Sequence, residues 1–257
     1  MAWLLDLDGV VWLAEDPIPG SSEAIARLRA AGHGVYFLTN NSAPTVDELR
    51  KKLGGMGVEV SPDDLVTSAQ AAASLLEPGS TALVCAGAGV KSALEERGVE
   101  TVREGAAEAV VVGFHRDFDY ARLTAAFKAI EGGARLIGTN DDATYPTPDG
   151  PVPGGGALLA AVATAGGVEP EVAGKPYEPF AALVRTRVGA GVGDSIMVGD
   201  RPSTDGLMAQ RLGISFALVL SGITSSDEIP SDPPPDHVAD DLVSLVESVL
   251  GRDQESA

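Results

Sequence analysis

The amino-acid sequence predicts an α/β protein built on a mostly parallel sheet, and three observations carry that prediction. Short apolar, β-branched runs alternate with Ala-rich amphipathic stretches along nearly the whole chain, the pattern of repeated strand and helix units. The polar residues suited to chemistry sit at the ends of those runs, where parallel sheets gather their ligands. The chain has 257 residues, 44% of them hydrophobic and 21% charged, enough to bury a full core in one large or two medium domains.

Strands are expected at 4–8, 34–39, 82–86, 109–113, 134–138, 195–199 and 215–219, each a short apolar run of strand length. Helices are expected at 21–31, 45–56, 68–76, 90–98, 120–132, 155–165 and 179–188, with a last one near 240–250, because apolar residues there recur on one face. Gly79 and Ser80 after Pro78 form one candidate hinge, and Gly166, Gly167 and Pro170 a second. The chemically useful residues lie before 45 and after 170. The expected division is therefore a discontinuous core, 1–79 with 170–257, and an inserted domain, 80–169. The Asp-, Ser- and Pro-rich stretch after Gly222 reads as a solvated connector.

Charge narrows the classes of partner. Lys and Arg number 18 against 37 Asp and Glu, a formal charge of -19, which repels phosphate backbones and anionic lipid surfaces. Nucleic acid and membrane are thus not expected partners. No basic leader or long apolar stretch is visible at the start, so a cytoplasmic location is expected. The single cysteine, Cys85, has the apolar neighbours Leu83, Val84 and Ala86 and reads as a packed core thiol. His33, His115 and His237 lack the spacing of a zinc site, and His115 is expected at the surface.

Four strand ends carry the chemistry. The first reads Leu4-Leu5-Asp6-Leu7-Asp8-Gly9: a strand period of two sends Asp6 and Asp8 to one side, and Gly9 permits a sharp turn beside them. Alone it also fits an ordinary Asp-Gly turn. Thr39-Asn40-Asn41-Ser42 is a run of small donors suited to an oxyanion, or to a polar turn and helix cap. Gly174-Lys175-Pro176 delivers one lysine into a proline-stiffened loop, and Gly199-Asp200 is followed by Asp205. Together they supply carboxylates, hydroxyl and amide donors and a cation, the inventory of phosphoryl transfer. Hard carboxylate oxygens suit Mg²⁺.

These four motifs, in this order, resemble those of the haloacid dehalogenase (HAD) superfamily of phosphatases. The large insertion between the second and third, with Val112-Gly113-Phe114 and Gly138-Thr139-Asn140, is similar to the branch with an α/β cap of the C2 type, which includes 4-nitrophenylphosphatase-like, phosphoglycolate and glycerol phosphate phosphatases. The resemblance implies a Rossmann-like parallel-sheet core with an inserted cap, and Mg²⁺-dependent hydrolysis of small phosphate monoesters through an aspartyl phosphate. By motif it makes Asp6 the nucleophile and Asp8 the general acid and base. The metal would be held by Asp6, the Asp8 carbonyl and Asp200, with Asp205 organising the loop behind them. Gly9 N–H, Thr39, Asn40 and Asn41 would bind phosphoryl oxygens, and Lys175 would neutralise them and restrain Asp6.

The loop 139–150, with Asp141, Asp142, Thr144 and Tyr145, is the candidate for touching the leaving group. Relatives often carry aspartate after the cap Gly-Phe, where this chain has His115. A homodimer through the cap is a further implication. A phosphomutase or phosphotransferase of the same superfamily, a phosphorylated non-hydrolytic switch, and C–halogen hydrolysis are the alternative readings. Asp8 and Asp200 count against the last, which needs no metal.

Overall fold

The opening apolar run forms β1 (Ala2–Asp6), buried along its whole length and centred in a six-stranded sheet. In the computed structural model of the chain, residues 1–145, 147 and 150–255 are described. After β1 the chain makes a hairpin of β2 (Trp12–Leu13) and β3 (Asp16–Pro17), then α1 (Ser21–Ala30), β4 (Gly34–Thr39), α2 (Val46–Gly55) and β5 (Leu65–Thr67). The middle holds α3 (Ser68–Ser74), β6 (Thr81–Cys85), α4 (Ala88–Glu96), β7 (Glu100–Val102), β8 (Ala109–Val112), α5 (Tyr120–Glu131) and β9 (Arg135–Gly138). It continues with β10 (Thr144–Tyr145), β11 (Val152–Pro153), α6 (Gly155–Gly166) and β12 (Glu171–Val172). The last part is α7 (Glu178–Val188), β13 (Ile196–Gly199), α8 (Leu207–Leu212), β14 (Ser215–Val219), β15 (His237–Ala239) and α9 (Leu242–Glu255).

Two compact units result, one of Met1–Thr39, Arg50–Val66 and Ala181–Ala257, the other of Asn40–Leu49 and Thr67–Phe180. In the first unit the strand order is β15-β14-β13-β1-β4-β5, and β1 pairs in parallel with both β13 and β4. Leu5 lies opposite Val198 and Asp6 opposite Leu38, so the carboxyl ends of the three strands share one edge. The chain leaves β1 for β4 on one side and reaches β13 on the other, which makes this edge the switch point where such sheets bind ligands. Trp3, Leu4, Leu5, Phe37, Met197 and Val198 fill the sheet's core.

The second unit has its own five-stranded sheet, β12-β9-β8-β6-β7, with every pairing parallel. Leu83, Val110, Val112, Leu136, Ile130 and Leu159 form its core cluster. A capping box starts α3, where the Thr67 hydroxyl accepts from Gln70 N at 3.1 Å and Gln70 Oε1 accepts from Thr67 N at 3.0 Å. Among the described residues no helix is long and apolar enough to cross a membrane.

Two details differ from the expected pattern. The first strand stops at Asp6 instead of running to residue 8, because the chain winds at once into a tight turn in which Val11 N and Trp12 N both donate to Leu7 O. The compact units also part elsewhere than at 79/80 and 169/170. Residues 40–49, 67–79 and 170–180 group with the middle of the chain. The reason is local: Val172 pairs with Gly138 as part of the second sheet, and Ser42 Oγ lies 2.9 Å from Thr139 Oγ1.

Candidate active site

In the first unit Asp6, Asp200 and Asp205 bring one carboxylate oxygen each to within 4.8 Å of one another, and all three residues are buried. Asp6 ends β1 and Asp200 follows β13, so the parallel register sets this pair side by side. Asp205 arrives by a different device. Pro202–Gly206 forms a single π-helical turn, an irregularity often found at functional sites, and it turns Asp205 fully inward. Its Oδ2 then accepts from Arg201 N at 3.2 Å.

Burying carboxylates this close costs on the order of several kcal/mol per ion unless positive charge compensates. The donor set is hard oxygen throughout, the kind that suits Mg²⁺. The surrounding backbone is shaped to this cluster. A Cβ on Gly9 would lie 2.5 Å from Asp200 Cγ, and one on Gly222 would lie 2.5 Å from the same atom. A Cβ on Gly199 would intrude on the Asp205 carboxylate in the same way. Three glycines therefore make room for two carboxylates.

The segment after β14, which includes the first residues of the stretch after Gly222 read from sequence as a solvated connector, braces the site. Ile223 N donates to Asp200 Oδ2 at 2.7 Å, Thr224 Oγ1 to Asp200 O at 2.6 Å, and Ser221 Oγ to Gly9 O at 2.6 Å. No sequence signal marks these contacts, since they span more than twenty residues. Gly9 requires one correction: its N–H donates to Trp12 O at 2.7 Å and is not presented to a phosphoryl oxygen. Its φ of 83°, a left-handed conformation that suits glycine, and its contact with Asp200 are what demand glycine there. Asp8, half-buried beyond the strand, accepts a hydrogen bond from Trp12 Nε1 at 3.0 Å. Thr39 is buried at the end of β4.

The remaining expected residues belong to the second unit. Asn40 directly follows Thr39, but its side chain is a bracket. Nδ2 donates to Lys175 O at 3.0 Å and to Asp142 Oδ2 at 3.1 Å, while Oδ1 accepts from Lys175 N at 2.7 Å. Both amide hydrogens are used, so the expected donation from the Asn40 side chain to phosphate is corrected to a role in holding the Lys175 loop. The Asn40 carbonyl is held in turn by Ser68 Oγ and Asn140 Nδ2, both at 2.7 Å. Lys175 itself is only 1% exposed, a rare state for lysine and one reached where charge or hydrogen bonds are matched. Asn41 donates to Tyr145 Oη at 3.3 Å, and the Tyr145 ring stacks on Phe114 with centroids 4.8 Å apart. Of the loop 139–150, Pro146, Pro148 and Asp149 lie outside the described residues.

His115 is buried, contrary to the surface position expected. Its Nδ1 lies 2.8 Å from Gly113 O and its ring meets Phe118 edge-on at 5.7 Å, with Nε2 buried and without a hydrogen-bond partner. Cys85 is buried in the second core, and desolvation pushes its thiol up to about 11.

A parallel sheet whose switch point gathers buried aspartates, with a second α/β unit inserted in the chain, is the arrangement of an α/β protein suited to phosphoryl transfer. Two family profiles match the chain, one described as haloacid dehalogenase-like hydrolase over residues 3–100 and one as HAD-hydrolase-like over residues 172–245. An acid sugar phosphatase of Staphylococcus aureus is 31% identical over 245 residues, covering 94% of this chain and 95% of that protein. Among solved structures, a p-nitrophenyl phosphatase from Archaeoglobus fulgidus superposes with a TM-score of 0.89 at 30% identity, covering 96% of this chain and 98% of that one. A glycerol phosphate phosphatase from Mycobacterium tuberculosis, in complex with magnesium, gives 0.86 at 33% identity, covering 95% and 75%. The chain belongs to the haloacid dehalogenase-like hydrolases.

Proposed function

We propose that the protein is a Mg²⁺-dependent phosphomonoesterase acting on small soluble phosphate esters, of the sugar phosphate, glycerol phosphate or aryl phosphate kind named for its relatives. The observation that carries this reading is the convergence of Asp6, Asp200 and Asp205 at the switch point of the sheet. Asp6 attacks phosphorus while Asp8 gives a proton to the leaving oxygen, and a phosphoryl bond to Asp6 replaces the ester bond. Asp8 then takes a proton from the water that hydrolyses this aspartyl phosphate, returning both carboxyl groups to their starting state. Thr39, Asn41 and Lys175 hold the phosphoryl oxygens. Asp6, the Asp8 carbonyl and Asp200, with Asp205 beside them, would hold Mg²⁺, which would supply charge neutralisation as the phosphoryl group transfers.

The second unit serves as the cap that selects the leaving group, Tyr145 being its candidate contact, and a homodimer through the cap and a cytoplasmic location complete the reading. The test is phosphate release from 4-nitrophenyl phosphate, glycerol phosphate, phosphoglycolate and sugar phosphates, with Mg²⁺ or with EDTA. Release that needs Mg²⁺ and is abolished in Asp6→Asn supports the reading. Release that survives Asp6→Asn would sink it.

A further inference from the structure

We infer that Trp12 and Lys52 form a positioning pair that aims the Asp8 carboxyl at the leaving oxygen, an inference that rests on the phosphatase reading above. Asp8 lies past the end of β1, where the sheet no longer fixes its side chain. A proton donor needs such fixing, because efficiency depends on reaching the leaving atom within hydrogen-bond distance.

Trp12 supplies the fixing. Its indole is 2% exposed, and Nε1 donates to Asp8 Oδ1 at 3.0 Å. The same residue is tied through its backbone to the turn that carries Asp8, with Trp12 N on Leu7 O at 3.2 Å and Gly9 N on Trp12 O at 2.7 Å. One carboxyl oxygen is thereby held by the indole. Tryptophan is donor only and cannot compete for the proton.

Lys52, on α2, holds Trp12 in place. Its ammonium sits 4.3 Å from the indole centroid, donates to Ala14 O at 2.7 Å and lies 3.6 Å from Glu15 Oε2. Ala14 is the one non-glycine residue of positive φ among the described residues, at 55°, and it forms the tip of the hairpin that follows Trp12. The ammonium therefore pins the strained tip and lies against the ring, a cation–π contact that polarises the indole and strengthens its N–H as a donor. A surface lysine needs neither contact, and their joint presence on one residue points to the indole and its hydrogen bond as what is being held.

The step affected is proton donation to the ester oxygen as the bond between it and phosphorus breaks. Glycerol alkoxide needs that proton, whereas 4-nitrophenolate leaves without one. The readout is the ratio of kcat/KM for glycerol phosphate to that for 4-nitrophenyl phosphate in Trp12→Phe, Lys52→Met and Lys52→Arg. Because kcat/KM reports only through formation of the phosphoryl-enzyme, a loss of correctly folded enzyme lowers both values equally and cancels.

The expected result is a ratio lowered about tenfold in Trp12→Phe and severalfold in Lys52→Met, a small part of the roughly 10²–10⁴ that a positioned proton donor supplies, with Lys52→Arg restoring it. An unchanged ratio in both Trp12→Phe and Lys52→Met would overturn the inference while leaving the phosphatase reading intact. Should Trp12→Phe fail to fold, the more accessible Lys52→Met decides by the same ratio. Failure of the wild-type chain to hydrolyse either ester would overturn the phosphatase reading, and this inference with it.

Discussion

Replacing Gly222 by alanine places a methyl group 2.5 Å from both Cβ and Cγ of Asp200. Gly222 does not have a positive φ, so the backbone accepts alanine and the whole effect falls on the carboxylate. Asp200 cannot give way freely, because it is buried and its Oδ2 is held by Ile223 N at 2.7 Å. Its displacement breaks a hydrogen bond to a charged group, worth about 1.5–3 kcal/mol, and moves a carboxylate out of the cluster with Asp6 and Asp205.

Disturbing the groups that orient a metal ligand lowers affinity roughly 10–100-fold. At a Mg²⁺ concentration near 100 times the wild-type Kd, binding stabilises the wild type by about 2.7 kcal/mol and a tenfold weaker variant by about 1.4 kcal/mol. The assay is the Mg²⁺-dependent rise in Tm of the wild type and of Gly222→Ala, with Gly54→Ala as control, since a Cβ there meets nothing within 4 Å. A folded Gly222→Ala protein with the wild-type dependence on Mg²⁺ would refute Asp200 as a metal ligand.

Asn40→Ala removes three hydrogen bonds and leaves Lys175 N without the acceptor it has now. The expected cost is about 3 kcal/mol, read by thermal unfolding as a Tm lower by about 6–12 °C for a chain of this size. Desolvation raises the Cys85 thiol from 9.0 to about 11, so native protein should resist iodoacetamide at neutral pH and form thiolate, followed by ultraviolet absorbance, only near the higher value. Since the folded state keeps this proton longer than the unfolded chain, the thiol's stabilising contribution is complete below pH 9 and lost as pH rises toward 11. Rapid alkylation of folded protein would contradict the buried placement.

Much of the core was legible because it depends on local pattern. Apolar strand runs placed β1, β4, β13 and β14 within a residue or two, except that β1 stops at Asp6, and the Asp-Gly and Gly-Asp strand ends marked Asp6 and Asp200. What was not legible depends on how groups far apart in sequence meet. Asp205 was expected to organise the loop beside the metal site, and the π-helical turn that brings its carboxylate within 4.8 Å of those of Asp6 and Asp200 has no signature in residue types. Asn40 was read as a phosphate donor because its amide could serve, and only the Lys175 loop 135 residues away shows that its donors are occupied. Ile223 and Thr224 open the stretch after Gly222 that looked like a connector by composition, yet they brace Asp200. His115 was placed at the surface by its polarity, while Phe118 and the Gly113 carbonyl enclose it. The strain at Ala14 and the stacking of Lys52 on Trp12 emerge only once the hairpin and α2 are packed.

The most direct test of the account is to find where phosphate becomes covalently attached during turnover. Asp8→Asn, which cannot take the proton from water, is mixed with 4-nitrophenyl phosphate and Mg²⁺, acid-quenched and digested for mass spectrometry. The account expects a phosphoryl group on Asp6 within the peptide carrying Leu4-Leu5-Asp6, together with a single burst of 4-nitrophenolate equal to the enzyme present. Wild-type turnover with no phosphoryl group trapped on Asp6, or with the label on another residue, would contradict it.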